Sequence, residues 1–491
     1  MEERSSPDAW DRKEGRALRG HEKRRPMTER VRKLVVIGHG AAGLAAALAA
    51  AEQAQRSSAF IDINLIEKAP EDEAGGNTRW SPSYMRMEAP DRLAANFEND
   101  IRETSGGRAD PRYFGTLAEN AAPTVAWLQA HGIEFSIPTY YLSANSLRIQ
   151  PVGGGKAFVE RLAEAARQAG VGISYNCSVT RLVRSGDRMS GALVRGGDGT
   201  SHVIDADAVI LATGGFQGNP DMLRQHFGPR AASMKLISPG SRFDTGDGIG
   251  LASELGATLS GDWNGMHAEP VDPRSKSSAP VVLVYPYGIV VDQNGFRFFD
   301  EGRGLVHETW EAFARDIQTS RPNGRVHAIL DSSLLSIEGF ERAVRSDVPP
   351  HRAKTLDELA HLINVPSDSL KRTIALYNAA AGDAARFDAG RRDGLKTADW
   401  LVPLKSNWAR PIVQPPYLAY PLVGAIAYTF GGLATNDRAE VLGESGAIAG
   451  LYAAGEVTGH FYRTAPNAVA MLRALVYGRI AGQQAVSFLT R

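Results

Sequence analysis

Residues 33–67 constrain the fold more than any other stretch of the chain, because they read strand, glycine turn, helix, strand and acid in unbroken succession. Lys33-Leu34-Val35-Val36-Ile37 is a short apolar strand that runs into Gly38-His39-Gly40-Ala41-Ala42-Gly43, and an alanine-rich helix follows to about Gln55. A second strand, Ile61–Ile66, ends at Glu67. In such a unit each part helps to hold a dinucleotide. Gly38 permits the tight turn, Gly40 lets the backbone approach a pyrophosphate, and Gly43 lets the helix lie close to the strand. The amides and positive end of the helix then face the phosphates. Glu67 can accept hydrogen bonds from both hydroxyls of an unphosphorylated ribose, which favours FAD or NAD over NADP.

At 491 residues the chain has room for two or three domains and a large core. Its 43% hydrophobic and 22% charged content is that of a soluble globular protein. A formal net charge of zero supplies no field to draw in nucleic acid or an anionic membrane, so neither is expected as a partner. The single cysteine, Cys177, excludes an intrachain disulfide, a cysteine-rich iron–sulfur site and a CxxCH haem attachment. In a predicted strand Ile173–Val179 it reads as a packed core thiol. Residues 1–30 are dense in charges of both signs and lack an apolar core segment. They are expected to be a disordered extension rather than a secretory signal, with Met27 as an internal candidate start. The longest apolar stretch, Leu34–Ala51, is broken by Gly38, His39, Gly40 and Gly43. A buried strand and helix explain it better than a membrane span. No integral membrane segment is expected, and the cytoplasm is the default compartment.

Downstream, Glu71–Pro151 is long and poorly periodic, and contains Gly75-Gly76-Asn77-Thr78. A helix is predicted over Lys156–Ala169. Strands follow at Gly172–Tyr175, Val179–Val183, Gly191–Val194 and Val203–Asp205, then at Asp207–Leu211, which ends in Ala212-Thr213-Gly214-Gly215-Phe216. Residues 267–417 carry more Pro, Trp and charge, with helices predicted at Leu356–Ile363 and Ser367–Ala381. The doubly wound pattern returns at Leu451–Ala454, followed by Gly455-Glu456 and a helix over Ala468–Leu489. The expected fold class is therefore α/β: a doubly wound, Rossmann-like nucleotide-binding domain (31–266 and 418–491) interrupted by an inserted α+β domain (267–417).

Several segments in this order match one family together. They are Gly38–Gly43 with Glu67-Lys68, Gly75–Thr78, Ala212–Phe216, Thr245-Gly246-Asp247-Gly248, Gly288–Glu301 and Leu451–Gly459. Over about residues 30–491 the chain resembles the flavoprotein of the fumarate reductase/succinate dehydrogenase superfamily. His267-Ala268-Glu269-Pro270, Lys405–Trp408 and Pro415-Pro416-Tyr417 are most similar to tricarballylate dehydrogenase-like members. The resemblance implies an extended FAD and a capping domain over its isoalloxazine. It implies cofactor contacts from Gly38, Gly40, Ala42, Gly43, Glu67, Lys68, Gly76, Asn77, Thr78, Val179, Thr213, Gly214, Asp247, Gly455 and Glu456, with Glu456 on the ribityl chain. No second strand-linked GxGxxG marks a separate nicotinamide site. Gly76-Asn77-Thr78-Arg79 lacks the family's histidine context for covalent attachment, so the FAD is expected to be non-covalent.

In this superfamily hydride passes between flavin N5 and one carbon of a C–C bond, and a side chain exchanges a proton with the neighbouring carbon. Carboxylate or carbonyl groups on the substrate acidify that C–H, so the site must stabilise negative charge. Arginine suits this, since its planar fork grips carboxylates and stays charged. The family's proton-transfer arginine falls about four residues past Glu301, where Leu305 stands. Arg303 lies two past it and His307 six past it, so either of these, or a tyrosine, is the candidate. A surface arginine is the competing reading of Arg303, and a structural loop arginine that of Arg297. His267 aligns with a histidine that contacts a substrate carboxylate. Tyr428 stands where fumarate reductases carry another such histidine, and a buried core tyrosine is its competing reading. The family's C-terminal substrate arginine context is not preserved, which leaves Arg463 and Arg473 as substitutes by proximity.

The leading expectation is an FAD-dependent dehydrogenase or reductase acting on an activated C–C or C=C bond of a small carboxylate. The catalytic candidates are Arg303, His307 and Tyr428, and the substrate-binding candidates are His267, Arg297, Arg463 and Arg473. A 3-ketosteroid dehydrogenase-like or cyclic-ketone desaturase is the alternative enzyme, and a flavin-bearing binding module the third class. With no haem motif and no cysteine cluster, electrons must leave by diffusion, oxygen, a quinone or a separate electron-transfer protein.

Overall fold

The alternation Leu34, Val35, Val36, Ile37 sends successive apolar side chains to opposite faces of a strand, and both faces are buried. Leu34 and Val36 pack with the alanine-rich helix, while Val35 and Ile37 join a separate core that includes Val179, Leu182 and Ala192. A computed structural model describes residues 30–139 and 148–491. The architecture that follows is that of the compact unit Arg32–Arg491. The disorder expected of 1–30 falls almost wholly on residues outside those described.

Strand Arg32–Ile37 lies inside a six-stranded sheet in the order 440–443, 446–453, 208–211, 32–37, 61–66, 172–174. All pairings are parallel except the antiparallel edge strand Glu440–Gly443. Helices Ala41–Arg56 and Ala470–Leu489 pack tightly on one face. A Cβ on Gly482 would lie 2.2 Å from the Ala46 carbonyl oxygen, and one on Gly478 2.4 Å from that of Ala42. Antiparallel strands Cys177–Ser185, Arg188–Gly196 and Ser201–Asp205 form a second, three-stranded sheet.

A further six-stranded sheet is organised around Tyr417–Thr429, which pairs with Lys235–Leu236, Met266–Val271, Val326–Leu330 and His351–Ala353. The register slips between His267 and Ala268: His267 faces Tyr428, but Ala268 faces Ile426. Ala427 is thus the extra residue of a bulge, a device that re-aims neighbouring side chains. Helix Val306–Ser320 packs on this sheet. Among the described residues no helix is long and apolar enough to cross a membrane.

The long, poorly periodic segment Glu71–Pro151, to which no elements were assigned from the sequence, contains helices Gly76–Trp80, Phe97–Ser105 and Pro111–Ala130. Pro123 sits inside the last of these, and an interior proline argues against a helix on local grounds. Ile173–Val179 is not the single strand expected: Asn176 adopts φ +54° and splits it, so Cys177 opens the next strand, partly buried, where it packs against the core that includes Val179 and Leu182 and also lines a cavity.

Candidate active site

A cavity of about 970 Å³ begins at the glycine turn. Gly38 has φ +109°, and a Cβ there would lie 2.3 Å from the Ala212 carbonyl oxygen. A Cβ on Gly43 would lie 1.9 Å from the Gly38 carbonyl oxygen, so only glycine allows the helix this close to the turn. Gly43 therefore shapes the cradle without lining it. Gly40 differs: its nearest neighbour would be Thr78 Oγ1 at 3.5 Å, and it faces open cavity. Helix Ala41–Arg56 has no side-chain N-cap and no acidic residue in its first turn, which leaves its positive end for an anion.

Every other cofactor candidate, from Gly38, Gly40 and Ala42 through Glu67, Lys68, Gly76, Asn77, Thr78, Val179, Thr213, Gly214 and Asp247 to Gly455 and Glu456, lines this one cavity. Glu67 is buried and accepts from the amides of His39 (2.8 Å) and Ala69 (2.7 Å), which orient its carboxylate at the strand end. Lys68 donates to Asp247 (2.7 Å) and Thr245 (2.6 Å). Asn77 donates to the carbonyl of the bulged Ala427 at 2.7 Å. Thr213 Oγ1 is buried without a hydrogen-bond partner among the described residues, as a group awaiting a ligand would be. These features fit FAD.

Sequence reading missed a buried cluster beside Glu456. Gln217 donates to Asp244 (2.7 Å) and Glu456 (3.3 Å), while Glu456 accepts from the Thr429 amide at 2.9 Å. Burial, with the neighbouring Glu456 charge, pushes Asp244 well above the usual carboxylate range, and burial pushes Glu456 up to about 7. Asp244 directly precedes the Thr245-Gly246-Asp247-Gly248 motif, which was the available signal.

The far end of the cavity brings together His267, Glu269, His307, Trp310, Glu311, Tyr428, Arg463 and Arg473. His267 bonds Glu311 through Nδ1 (2.9 Å) and Glu269 through Nε2 (3.2 Å), and its ring stacks on Tyr428 at 4.9 Å. Burial alone would lower its pKa, but the hydrogen bonds to Glu269 and Glu311 more than offset this and raise it to about 9. Both ring nitrogens are engaged by protein carboxylates. The Tyr428 hydroxyl makes no hydrogen bond to a described residue, and burial holds its pKa well above the ordinary tyrosine value, so it remains a donor. Burial also lowers His307 to about 4, leaving it neutral. Arg473 is buried, donates to Thr458 O (3.1 Å) and lies over the Phe461 ring at 4.3 Å. Its Nε lacks a partner among the described residues.

Two candidates are not brought here. Arg303 is exposed on its loop and does not line the cavity. Arg297 is also absent from the lining. It is paired with Glu301 (Nε to Oε1 3.0 Å, Nη2 to Oε2 2.5 Å) and donates to Pro403 O at 2.7 Å. That fork is satisfied internally, which makes Arg297 a structural arginine. Glu269 was read only as part of the His267–Pro270 motif, with no role of its own, and Glu311 went unread although it lies one helical turn past His307.

A family model described as an FAD binding domain matches residues 33–469. A probable fumarate reductase of Shewanella frigidimarina is 30% identical over 472 residues, spanning 92% of this chain and 74% of the relative. A 4-oxocyclohexanecarboxylate 2-dehydrogenase of Sinomonas cyclohexanicum is 30% identical over 362 residues, 68% of this chain and 61% of that protein. Among solved structures, the open conformation of a flavocytochrome c3 fumarate reductase matches with TM-score 0.74 and 26% identity, over 94% of this chain and 79% of that one.

Proposed function

Because the chain belongs to the FAD-binding domain family and is an FAD-dependent oxidoreductase of the fumarate reductase kind, acting on C–C bonds, we propose that it adds or removes hydrogen across an activated C–C bond of a small carboxylate. Bound FAD supplies the hydride-carrying centre. The observation that carries the reading is the single cavity joining the glycine cradle to the His267–Tyr428–Arg473 group.

The residues divide the work as follows. Arg473, buried and charged, stabilises the negative charge that develops on the substrate oxygens. Tyr428 exchanges the proton at the carbon: its hydroxyl faces the cavity and stays protonated, a suitable donor to a carbanionic centre. His267 positions Tyr428 by stacking and holds Glu269 and Glu311 in place. Arg463, exposed on the cavity wall, and His307 complete the lining. Electrons pass to a quinone, oxygen or a separate protein.

A second reading, a cyclic-ketone desaturase, is favoured by one observation. A neutral hydroxyl donor beside two carboxylates suits a carbonyl oxygen better than it suits another anion. It also agrees with the 4-oxocyclohexanecarboxylate 2-dehydrogenase relative. Anaerobic mixing of oxidised holoprotein with succinate, tricarballylate or a cyclohexanone carboxylate separates the two by which compound bleaches the flavin. If none bleaches it, and none of their unsaturated forms reoxidises the reduced protein, both readings fall.

A further inference from the structure

His267 stands where the resemblance puts a histidine in contact with a substrate carboxylate, but its ring has no nitrogen left for one. Nδ1 is taken by Glu311 at 2.9 Å and Nε2 by Glu269 at 3.2 Å. With its pKa raised to about 9 the ring carries both protons, so each nitrogen donates to a protein carboxylate. What the cavity meets at this point is an acceptor.

The two carboxylates are not equivalent. Glu311 is compensated from outside the cavity. Its Oε2 also accepts from the Ala465 amide at 3.3 Å. Its Oε1 makes no hydrogen bond but lies 3.5 Å from Nη2 of Arg315, a residue absent from the cavity lining. Glu269 has His267 as its one hydrogen-bond or ion-pair partner among the described residues, through Oε1. It lines the cavity, with 18% of its side chain exposed. A carboxylate can accept about four hydrogen bonds, and this one has capacity to spare. One imidazolium between two carboxylates leaves a negative charge over. Since Arg315 stands beside Glu311, that excess falls on Glu269. A partly buried carboxylate in this state attracts a hydrogen-bond donor and repels an anion.

Strand Met266–Val271 fixes where the acceptor stands. Residues two apart on a strand share a face, so Glu269 follows His267 about 7 Å along it. His267 faces Tyr428 across the strand pair and stacks on its ring, whereas Glu269 faces Ala425. A group held by Glu269 therefore lies about two strand residues from the level of the tyrosine. Arg473, buried in the same cavity lining, has the opposite preference and suits the activating carboxylate.

We propose that Glu269 is a specificity-determining residue: it accepts a hydrogen bond from a hydroxyl or N–H group of the substrate, away from the carboxylate that activates the reacting carbons, and turns away a second carboxylate there. The inference rests on the carboxylate reading above and narrows it to monocarboxylates that carry a hydrogen-bond donor.

The test uses FAD-loaded protein, with binding read both as perturbation of the flavin absorption band and as heat in calorimetry. Two series of different length supply the probes: 4-hydroxycrotonate, 4-methoxycrotonate and fumarate, then 4-hydroxycinnamate, 4-methoxycinnamate and 4-carboxycinnamate. In at least one series the hydroxy acid should bind about ten- to a hundred-fold more tightly than its methoxy counterpart, the effect of a hydrogen bond to a charged group. The diacid should bind more weakly than the hydroxy acid. Glu269→Leu should bring the hydroxy-to-methoxy ratio to about one with FAD content unchanged. If Glu269→Leu does not fold, Glu269→Gln, which keeps an acceptor and loses the charge, decides alone: it must bind the diacid at least about tenfold more tightly than wild type does. Equal binding of hydroxy and methoxy acids by the wild type, a diacid as tight as the hydroxy acid, or a preference that survives Glu269→Leu overturns the role of Glu269 and leaves the carboxylate reading intact. Absence of binding by every acid overturns that reading, and the role of Glu269 with it.

Discussion

Tyr428 and Arg303 contrast most sharply at the residue scale. Both were candidates for proton transfer, but only Tyr428 reaches the cavity. Tyr428→Phe should lower turnover by about a hundred- to ten-thousand-fold with flavin content unchanged, whereas Arg303→Ala should stay within a few-fold of wild type; steady-state kinetics on matched holoproteins reads both. His267 makes a separate prediction about stability. Its folded pKa, about 9, lies above the ordinary 6.5, so the proton it holds stabilises the fold fully below pH 6.5 and ceases to do so as pH rises through 9. The thermal midpoint of His267→Gln should therefore lag wild type most near pH 6 and converge on it above pH 9. A pH-independent gap would remove the charged-imidazolium account.

Two helices and one bulged strand set the site at the scale of elements. Helices Ala41–Arg56 and Ala470–Leu489 approach backbone to backbone because Gly478 and Gly482 have no Cβ. Gly482→Val must push the second helix away from the Ala46 carbonyl, and a loss of about 1–3 kcal/mol in denaturant unfolding is the expected result. Arg473 rides on that helix, so substrate affinity should weaken as well. The bulge at Ala427 explains why consecutive residues, Ala427 and Tyr428, both face the cavity when an unbroken strand would turn one of them away.

For the whole molecule, the lining of the cavity decides how the cofactor is held. Gly76, Asn77 and Thr78 sit on the cavity wall with no histidine among them, and Asn77 is tied to Ala427. Acid precipitation should release all the FAD into the supernatant, measured by its absorbance; yellow colour retained on the protein pellet would contradict this. Rebinding should raise the thermal midpoint with FAD concentration, as mass action requires.

The nucleotide cradle was legible because its chemistry is contiguous: glycine at 38 for the turn and at 43 for the close helix, an open glycine at 40, and an acid at the end of the next strand are written within 35 residues. Local backbone sterics act over that range, so residue order is enough. The substrate end was legible only in part. His267 and Tyr428 could be named from the chain, but their stacking depends on a slipped register that pairs residues 161 positions apart, 428 against 267. The fate of Arg297 turned on whether Glu301 closed around it. Pairings of that kind are settled by packing and charge compensation between distant segments. Folding alone brings those segments together.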